Sequence, residues 1–407
     1  MAKISIPFEI EIKSALHIGQ APLGVGEYMK TRRHIPGSAL RGALAEVLIK
    51  QYGLKPGSGS EFNRLFDGAE ALRFEPAYPA TALAWGYPFP LTARQCKSHG
   101  GFPKLDTSQA ERERHHGAFD ILISQFVFEE QLASGSVPFI EKPLCPHCWK
   151  GVEPVKGIYT WDEEKNQPGV ASDVHLMRHT HTAINRARGV AEDGMLFTVE
   201  TLEPGTLLRG QVWVESDQEK RVREALGAIK RLGRGVARGR GQVAVDPLPK
   251  ASDDDTLGRL KTLNELIQNE RAMYTRLVGS TTSPPDEVYF TLDLLSPAVF
   301  GNGVAATLEP EDLNLPVETT LVRRFVTSEV VGGWWNAARL PHPTTLAVKA
   351  GSVFLYKAPP DVNLENLSRK LDTLRAEGIG HLRERGYGAV LPCAPFHLWT
   401  AEEEAAR

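Results

Sequence analysis

Residues 231 to 243 read Arg-Leu-Gly-Arg-Gly-Val-Ala-Arg-Gly-Arg-Gly-Gln-Val, with Arg231, Arg234, Arg238 and Arg240 set among glycines and no acid up to Gly241. A helix leads into this run, because Val222, Ala225, Leu226, Ile229 and Leu232 recur at the spacing that makes one apolar stripe. Val243 and Val245 then follow at the period of a strand. Glycines let a backbone approach an anion and aim its N–H groups inward, while arginines offer forked donors matched to phosphate oxygens. A dinucleotide-binding fingerprint needs a strand before its glycines and a helix after them, so the order here excludes it. A flexible, solvated loop is the alternative.

Upstream, Ile4, Ile6, Phe8, Ile10 and Ile12 alternate with polar residues and predict a strand. After a glycine-rich loop from Gly19 to Gly26, Ile35-Pro-Gly-Ser-Ala-Leu-Arg-Gly42 opens a helix with Leu40, Ala43, Leu44, Val47 and Leu48 on one face, ended by Gly53. Met195 to Leu202 and Leu207 to Val214 are β-rich runs joined through Pro204-Gly205, which predicts a hairpin. The order βαββαβ is that of a ferredoxin-like or RRM-like unit.

Downstream, the pattern returns as a strand at 288 to 295, a β-rich run from Leu346 to Tyr356 broken at Gly351-Ser352, and a helix near 364 to 377. Gly378, Gly380, Gly386, Gly388 and Val390 answer to Gly233, Gly235, Gly239, Gly241 and Val243, with Arg238 and Arg385 in the same place. The expected fold is α+β with two ferredoxin-like units: residues 1–250 with an insertion at about 86–190, a helical linker at 251–284 ending in Ser280-Thr-Thr-Ser-Pro-Pro285, and residues 285–407.

A length of 407 residues with 42% hydrophobic residues suffices for two cores. The net charge of -3 means that polyanion binding requires locally concentrated cations. One such concentration is Lys30, Arg32, Arg33, His34 and Arg41 at the entry of the first helix, where N–H groups and the helix dipole also favour an anion. A basic cap facing water is the other reading. The opening MAKISIPFEIEIK lacks the pattern of a secretory leader and no long apolar run follows, so we expect a cytoplasmic protein with no membrane partner.

Four cysteines cannot frame so long a chain, but Cys145-Pro-His-Cys148 has metal-ligand spacing, and Cys96, His99, His115 and His116 lie upstream. A tetrahedral Cys3His zinc site of Cys96, Cys145 and Cys148 with one of these histidines, His116 slightly preferred over His99 and His115, would hold the insertion together, with a redox pair or a chance spacing as the alternatives. Cys393 is expected in the core. His175, His179 and His181 fit either RNA contact or a solvated surface, and Trp334 and Trp335 fit either base stacking or burial.

Ile35-Pro-Gly-Ser-Ala-Leu-Arg-Gly42, the stretch from His181 through Arg186 and Arg188 to Phe197, and both glycine loops resemble the RAMP superfamily of CRISPR effector subunits. Two such units, the Cys/His insertion, and Ala350-Gly-Ser-Val-Phe354 followed by Gly378-Ile-Gly380 look most like the double-RAMP subunit of type III-D complexes. The resemblance implies a subunit that binds crRNA and caps its 5′ tag, beside the large polymerase-like subunit and backbone RAMP subunits, meeting target RNA only indirectly. It implies RNA contacts from Lys30, Arg32, Arg33, His34, Ser38, Arg41, Arg186, Arg188, Arg231, Arg234, Arg238, Arg240, Arg383 and Arg385. Target-cutting relatives carry an aspartate between first strand and first helix, but no Asp occurs from Gly19 to Ile35 and Glu27 is the only acid there. A non-cutting role is therefore expected. The alternatives are a ribonuclease using Glu27, His17 or His34, and a zinc protein whose glycine loops take a nucleotide.

Overall fold

The computed structural model describes residues 3–20, 28–68, 70–81, 84–102, 114–133, 142–170, 174–249, 255–278, 286–301, 306–311, 313–315, 317–335 and 340–400. The alternating opening run forms strand Lys3–Ile12, which lies between Val243–Pro247 and Leu207–Glu215 in an antiparallel sheet. Its register sets Ile6 opposite Val212 and Ile10 opposite Leu208, so one face of the pleat is wholly apolar. Helices Gly37–Lys50 and Glu219–Gly227 cover that face through Leu40, Leu44, Leu48, Val222, Ala225 and Leu226. On the opposite face Glu9 pairs with Arg209 at 2.9 Å.

The predicted hairpin of Met195–Leu202 with Leu207–Val214 does not form. Strand Val190–Leu202 pairs instead with Leu176–Asn185, and Leu207–Glu215 joins the main sheet. The Pro204-Gly205 turn passes the chain between the two sheets, anchored by a 2.7 Å bond from the Gly205 N–H to the Ile12 carbonyl. The neighbour of Leu207–Glu215 comes from before the insertion, as two short pieces, Arg73–Phe74 and Tyr78–Pro79.

A second sheet repeats the order of the first. Val288–Leu294 lies between Val390–Pro392 and Val353–Ala358, with Thr320–Phe325 at the edge. Helix Leu364–Glu377 leads into the closing strand, as Glu219–Gly227 does in the first half. Among the described residues no helix lies between Val288–Leu294 and Thr320–Phe325. The sheet is covered instead by helix Thr256–Val278, which precedes it in sequence, and by Leu122–Ala133 from the insertion. Leu260, Leu263, Ile267, Phe126 and Val127 share one core with Phe290, Leu292, Leu367 and Leu371. Arg271, 1% exposed, ties these helices together with 2.7 and 2.9 Å bonds to Glu130 and one of 2.8 Å to the Tyr289 hydroxyl.

Each half also carries a long hairpin that leads into its third strand, Leu176–Asn185 with Val190–Leu202 in the first and Ser328–Trp335 with Leu340–Val348 in the second. The base of each is bridged to the residues leaving the opening strand, Leu202 to Leu16 and Val348 to Ala298. The insertion packs Phe119, Tyr159 and Trp161 against Phe396 and Trp399 near the carboxyl end. No helix among the described residues is long and apolar enough to cross a membrane. The proposed linker residues 280–285 and the acid Glu27 lie outside the described residues.

Candidate nucleic-acid interface

The two glycine loops are wired alike. In the first, the Gly241 N–H donates to the Ala15 carbonyl (3.0 Å), the Arg234 N–H to His17 (3.0 Å) and the Leu232 N–H to Gly241 (2.9 Å). In the second, Gly388 donates to Pro297 (2.8 Å), His381 to Val299 (2.8 Å) and Ile379 to Gly388 (2.9 Å). Both enclose one turn of 3-10 helix, Val236–Arg238 and Arg383–Arg385, closed by a glycine in the left-handed region, Gly239 and Gly386. Arg238 and Arg385 are therefore equivalent, as the sequence suggested. The first two glycines are not paired as expected. Gly233 answers to Gly380, since each presses its α-carbon on the chain leaving the opening strand, at His17 and Val299. Gly235 answers to Leu382, a non-glycine residue at φ 57.

The loops meet different partners. Gly233 and Arg234 rest on His17, whereas Gly386 lies against Gly37 at the entry of the first helix. One run of backbone connects them. Ile18 accepts a 2.8 Å bond from the Arg32 N–H, Gly19 bridges Thr31, Ile35 pairs with Ala77, and Gly37 meets Gly386. The positive charges of Arg32 and Arg385 both bear on Tyr387. The helix entry and the second loop, far apart in sequence, thus meet across the two halves, where Arg32, Arg41 and Arg385 stand among Glu329 and Glu384.

The predicted cations divide by what they already bind. Lys30, Arg33, Arg186, Arg188, Arg234 and Arg238 are exposed, with no side-chain hydrogen bond or ion pair among the described residues. Arg41 is committed inward: it donates to the Phe66 carbonyl at 3.0 Å and lies over the Phe66 ring, because the helix turns that face towards the core. Arg240 holds His181 of the first hairpin at 2.7 Å, Arg383 donates to the Gly378 carbonyl at 3.3 Å, and Arg231 reaches the Val236 carbonyl at 3.5 Å. Arg385 lies 3.6 Å from Glu384. Ser38 is exposed in the first turn of the helix, and Pro36 caps that helix with no side-chain bond to its N–H groups.

His17 is buried, with Nδ1 2.7 Å from the Glu200 carbonyl, and burial holds its imidazole below the ordinary value. His34 lies beside the Tyr78 ring (5.0 Å), and burial lowers it to about 3. Sequence reasoning missed His342, in the second hairpin, whose imidazole is lowered by burial and then by Arg385 and Arg41. Nothing local in its sequence marks it, since the fold alone sets it beside those arginines. Trp334 is 59% exposed, and the side chain of Trp335 lies outside the described residues.

In the insertion, the ligand atoms of Cys96, His116, Cys145 and Cys148 lie within 4.8 Å of one another, with the first three residues buried. Cys96 Sγ is 3.6 Å from Cys148 Sγ, and Cys145 Sγ is 3.3 Å from His116 Nδ1. Tetrahedral zinc with sulfur at ~2.3 Å separates its sulfurs by about 3.8 Å, so the cluster fits such an ion. The geometry also selects the histidine. His115 Nδ1 is bonded to the Gly100 carbonyl, and His99 Nδ1 stands 4.0 Å from Cys96 Sγ with its ring stacked on His116. Cys393 is buried in the second core.

Two family models match the sequence. One is described as CRISPR-associated protein (Cas_Cmr3) and matches residues 160–393, and the other, the RAMP superfamily, matches residues 9–244. Similar solved structures include a chain of a type III-B Cmr-beta complex bound to cognate target RNA and AMPPnP (12% identity, 86% of each chain covered, TM-score 0.43). Another is a chain of the Csm3-Csm4 subcomplex of the type III-A CRISPR-Cas interference complex (12% identity, 86% of this chain and 92% of that chain covered, TM-score 0.35). No curated protein matches the sequence.

Proposed function

The chain belongs to the Cas_Cmr3 family of CRISPR-associated proteins and to the RAMP superfamily, and from that premise we propose that it is a non-cutting, crRNA-binding subunit of a type III effector ribonucleoprotein. The observation that carries the proposal is the pair of loops with matching backbone bonds to the chain leaving each opening strand, each holding an arginine, Arg238 or Arg385, just before a left-handed glycine. We read the two sheets, in which the first strand lies between the third and the fourth, as two ferredoxin-like units, with residues 1–250 and 285–407 as their extents. Placement at the 5′ tag, the large polymerase-like and backbone RAMP neighbours, and the likeness to type III-D subunits rest on the sequence resemblance.

The exposed cations Lys30, Arg33, Arg234 and Arg238 are free to neutralise phosphates, whereas Arg41, Arg231 and Arg383 support backbone that would do so. A non-cutting role is supported by the missing aspartate between Gly19 and Ile35 and by the inward commitment of His17. We assign zinc to the Cys3His cluster, where it would hold the insertion together.

The test is crosslinking of labelled guide RNA within the reconstituted complex, together with incubation of guide and target RNA with this chain alone. We expect crosslinks from the 5′ tag to residues 231–241 and 378–388, and intact RNA. Crosslinks that avoid both loops, or cleavage that disappears with Glu27→Ala or His34→Ala, would refute the proposal.

A further inference from the structure

The turn that carries Cys145 and Cys148 ends on a residue whose chemistry does not suit its backbone. The Cys145 N–H donates to the Lys150 carbonyl (2.8 Å) and the Trp149 N–H to the Cys145 carbonyl (2.9 Å), which closes a knuckle around the cysteines. That closure places Trp149 at φ 57, in the left-handed region that glycine adopts freely and a bulky side chain adopts at a cost. The indole recovers nothing by burial. It is 75% exposed and stacks on no ring among the described residues. A strained, exposed tryptophan where glycine would serve the turn better indicates a role outside the fold.

Its surroundings indicate the partner. Lys97, Arg114, Lys142 and Lys150 are exposed on the segments around the turn, whereas Arg94 donates inward to the Leu91 and Ala93 carbonyls at 2.9 Å, and Glu113, Glu141 and Glu153 border those segments in sequence. Lys97 lies beside Gly151, and the nearest following acid, Glu153, is bonded to Gln95 at 3.1 Å. Leu144 is exposed next to the cysteines. A flat aromatic face among cations suits an unpaired base with its phosphates. An acidic protein surface would need the lysines but not the strained indole.

We propose that this knuckle is a second RNA contact, separate from the glycine loops, in which Trp149 stacks on a base of a single strand while Lys97, Lys142 and Lys150 hold its backbone. The proposal rests on the metal cluster shaping the turn, and it does not require the glycine loops to bind the guide.

The experiment uses the full chain carrying Arg238→Ala and Arg385→Ala, with fluorescein-labelled oligouridine as probe and anisotropy as readout. Adding Trp149→Gly relieves the left-handed strain, so the metal content and melting temperature should hold or rise. Oligouridine binding should weaken about fivefold or more, as expected for one lost stacking contact. Lys142→Glu with Lys150→Glu should weaken it further and flatten its salt dependence. Photocrosslinks from the oligonucleotide should fall within 142–152. Unchanged affinity in either set of variants, or photocrosslinks that fall outside 142–152, would overturn the proposal.

Discussion

Gly386 and Gly37 touch across the two halves of the chain: a Cβ on Gly386 would stand 2.7 Å from the Cα of Gly37, and one on Gly37 would stand 2.9 Å from the Cα of Gly386. Gly239, the equivalent of Gly386 in the first loop, has nothing within 4 Å of its Cβ position. Both are left-handed, at φ 85 and φ 79. Gly239→Ala should therefore cost only the backbone term, about 1–2 kcal/mol. Gly386→Ala adds an unavoidable clash with backbone and should cost about 3 kcal/mol or more. Because that clash pushes the second loop off the first helix, guide affinity should also fall more for Gly386→Ala than for Gly239→Ala. Chemical denaturation and RNA binding on both variants measure the contrast, and equal losses would mean that the loop contact is not part of the binding surface.

The Cys3His cluster predicts one bound zinc per chain by elemental analysis. Cys145→Ser should abolish it, while Cys393→Ser, which alters a buried thiol in the other core, should leave the metal in place. Metal loss should speed amide exchange over 93–102 and 142–161, because those strands share only a small apolar cluster with Phe396 and Trp399. Full protection in metal-free protein would show that the insertion is held by packing alone.

What could be read from the sequence was what is local. The opening strand, both loop-flanking helices and the Cys-x-x-Cys pair announce themselves by period or spacing within a dozen residues. The second strand of the first sheet could not be found this way, because Arg73–Phe74 and Tyr78–Pro79 are too short to alternate. The partner of Val190–Leu202 was hidden for another reason. Leu176–Asn185 projects with neither face fully buried, so its sequence carries no apolar period. Glycine spacing alone misaligns the two loops, because the left-handed residue equivalent to Gly235 is Leu382. His116 could not be separated from His99 and His115 until the fold placed their ring nitrogens.

His397 joins the insertion to the second sheet through bonds of 2.7 Å to Asp120 and 2.6 Å to Asp293, with no exposed surface. Burial opposes its charge, but the two carboxylates outweigh it and raise the imidazole to about 10. A group raised on folding stabilises fully below its unfolded value of about 6.5, and the contribution fades as pH climbs to the folded value, at up to about 1.4 kcal/mol per pH unit. His397→Gln leaves two buried acids without their cation and should cost about 3–5 kcal/mol near pH 6. The gap from wild type should narrow steadily between pH 7 and pH 10. Urea denaturation at pH 6, 8 and 10 measures it, and a gap independent of pH would mean that the imidazole is neutral in the fold.

Arg238 and Arg385 offer the sharpest test of RNA binding, because they occupy equivalent positions in differently placed loops. If each neutralises one phosphate of a single strand, removing both should reduce the slope of log affinity against log salt by about 1.4, at about 0.7 per contact. The loss should be uniform across RNA sequences, since phosphate contacts carry no base information. Arg385→Ala alone should also raise the titration point of His342, because one of the two cations that depress it is removed. Nuclear magnetic resonance of that imidazole, with and without guide RNA, reads the second effect independently of binding. A double variant with unchanged salt slope and a normally shifted His342 would confine both arginines to solvated loops.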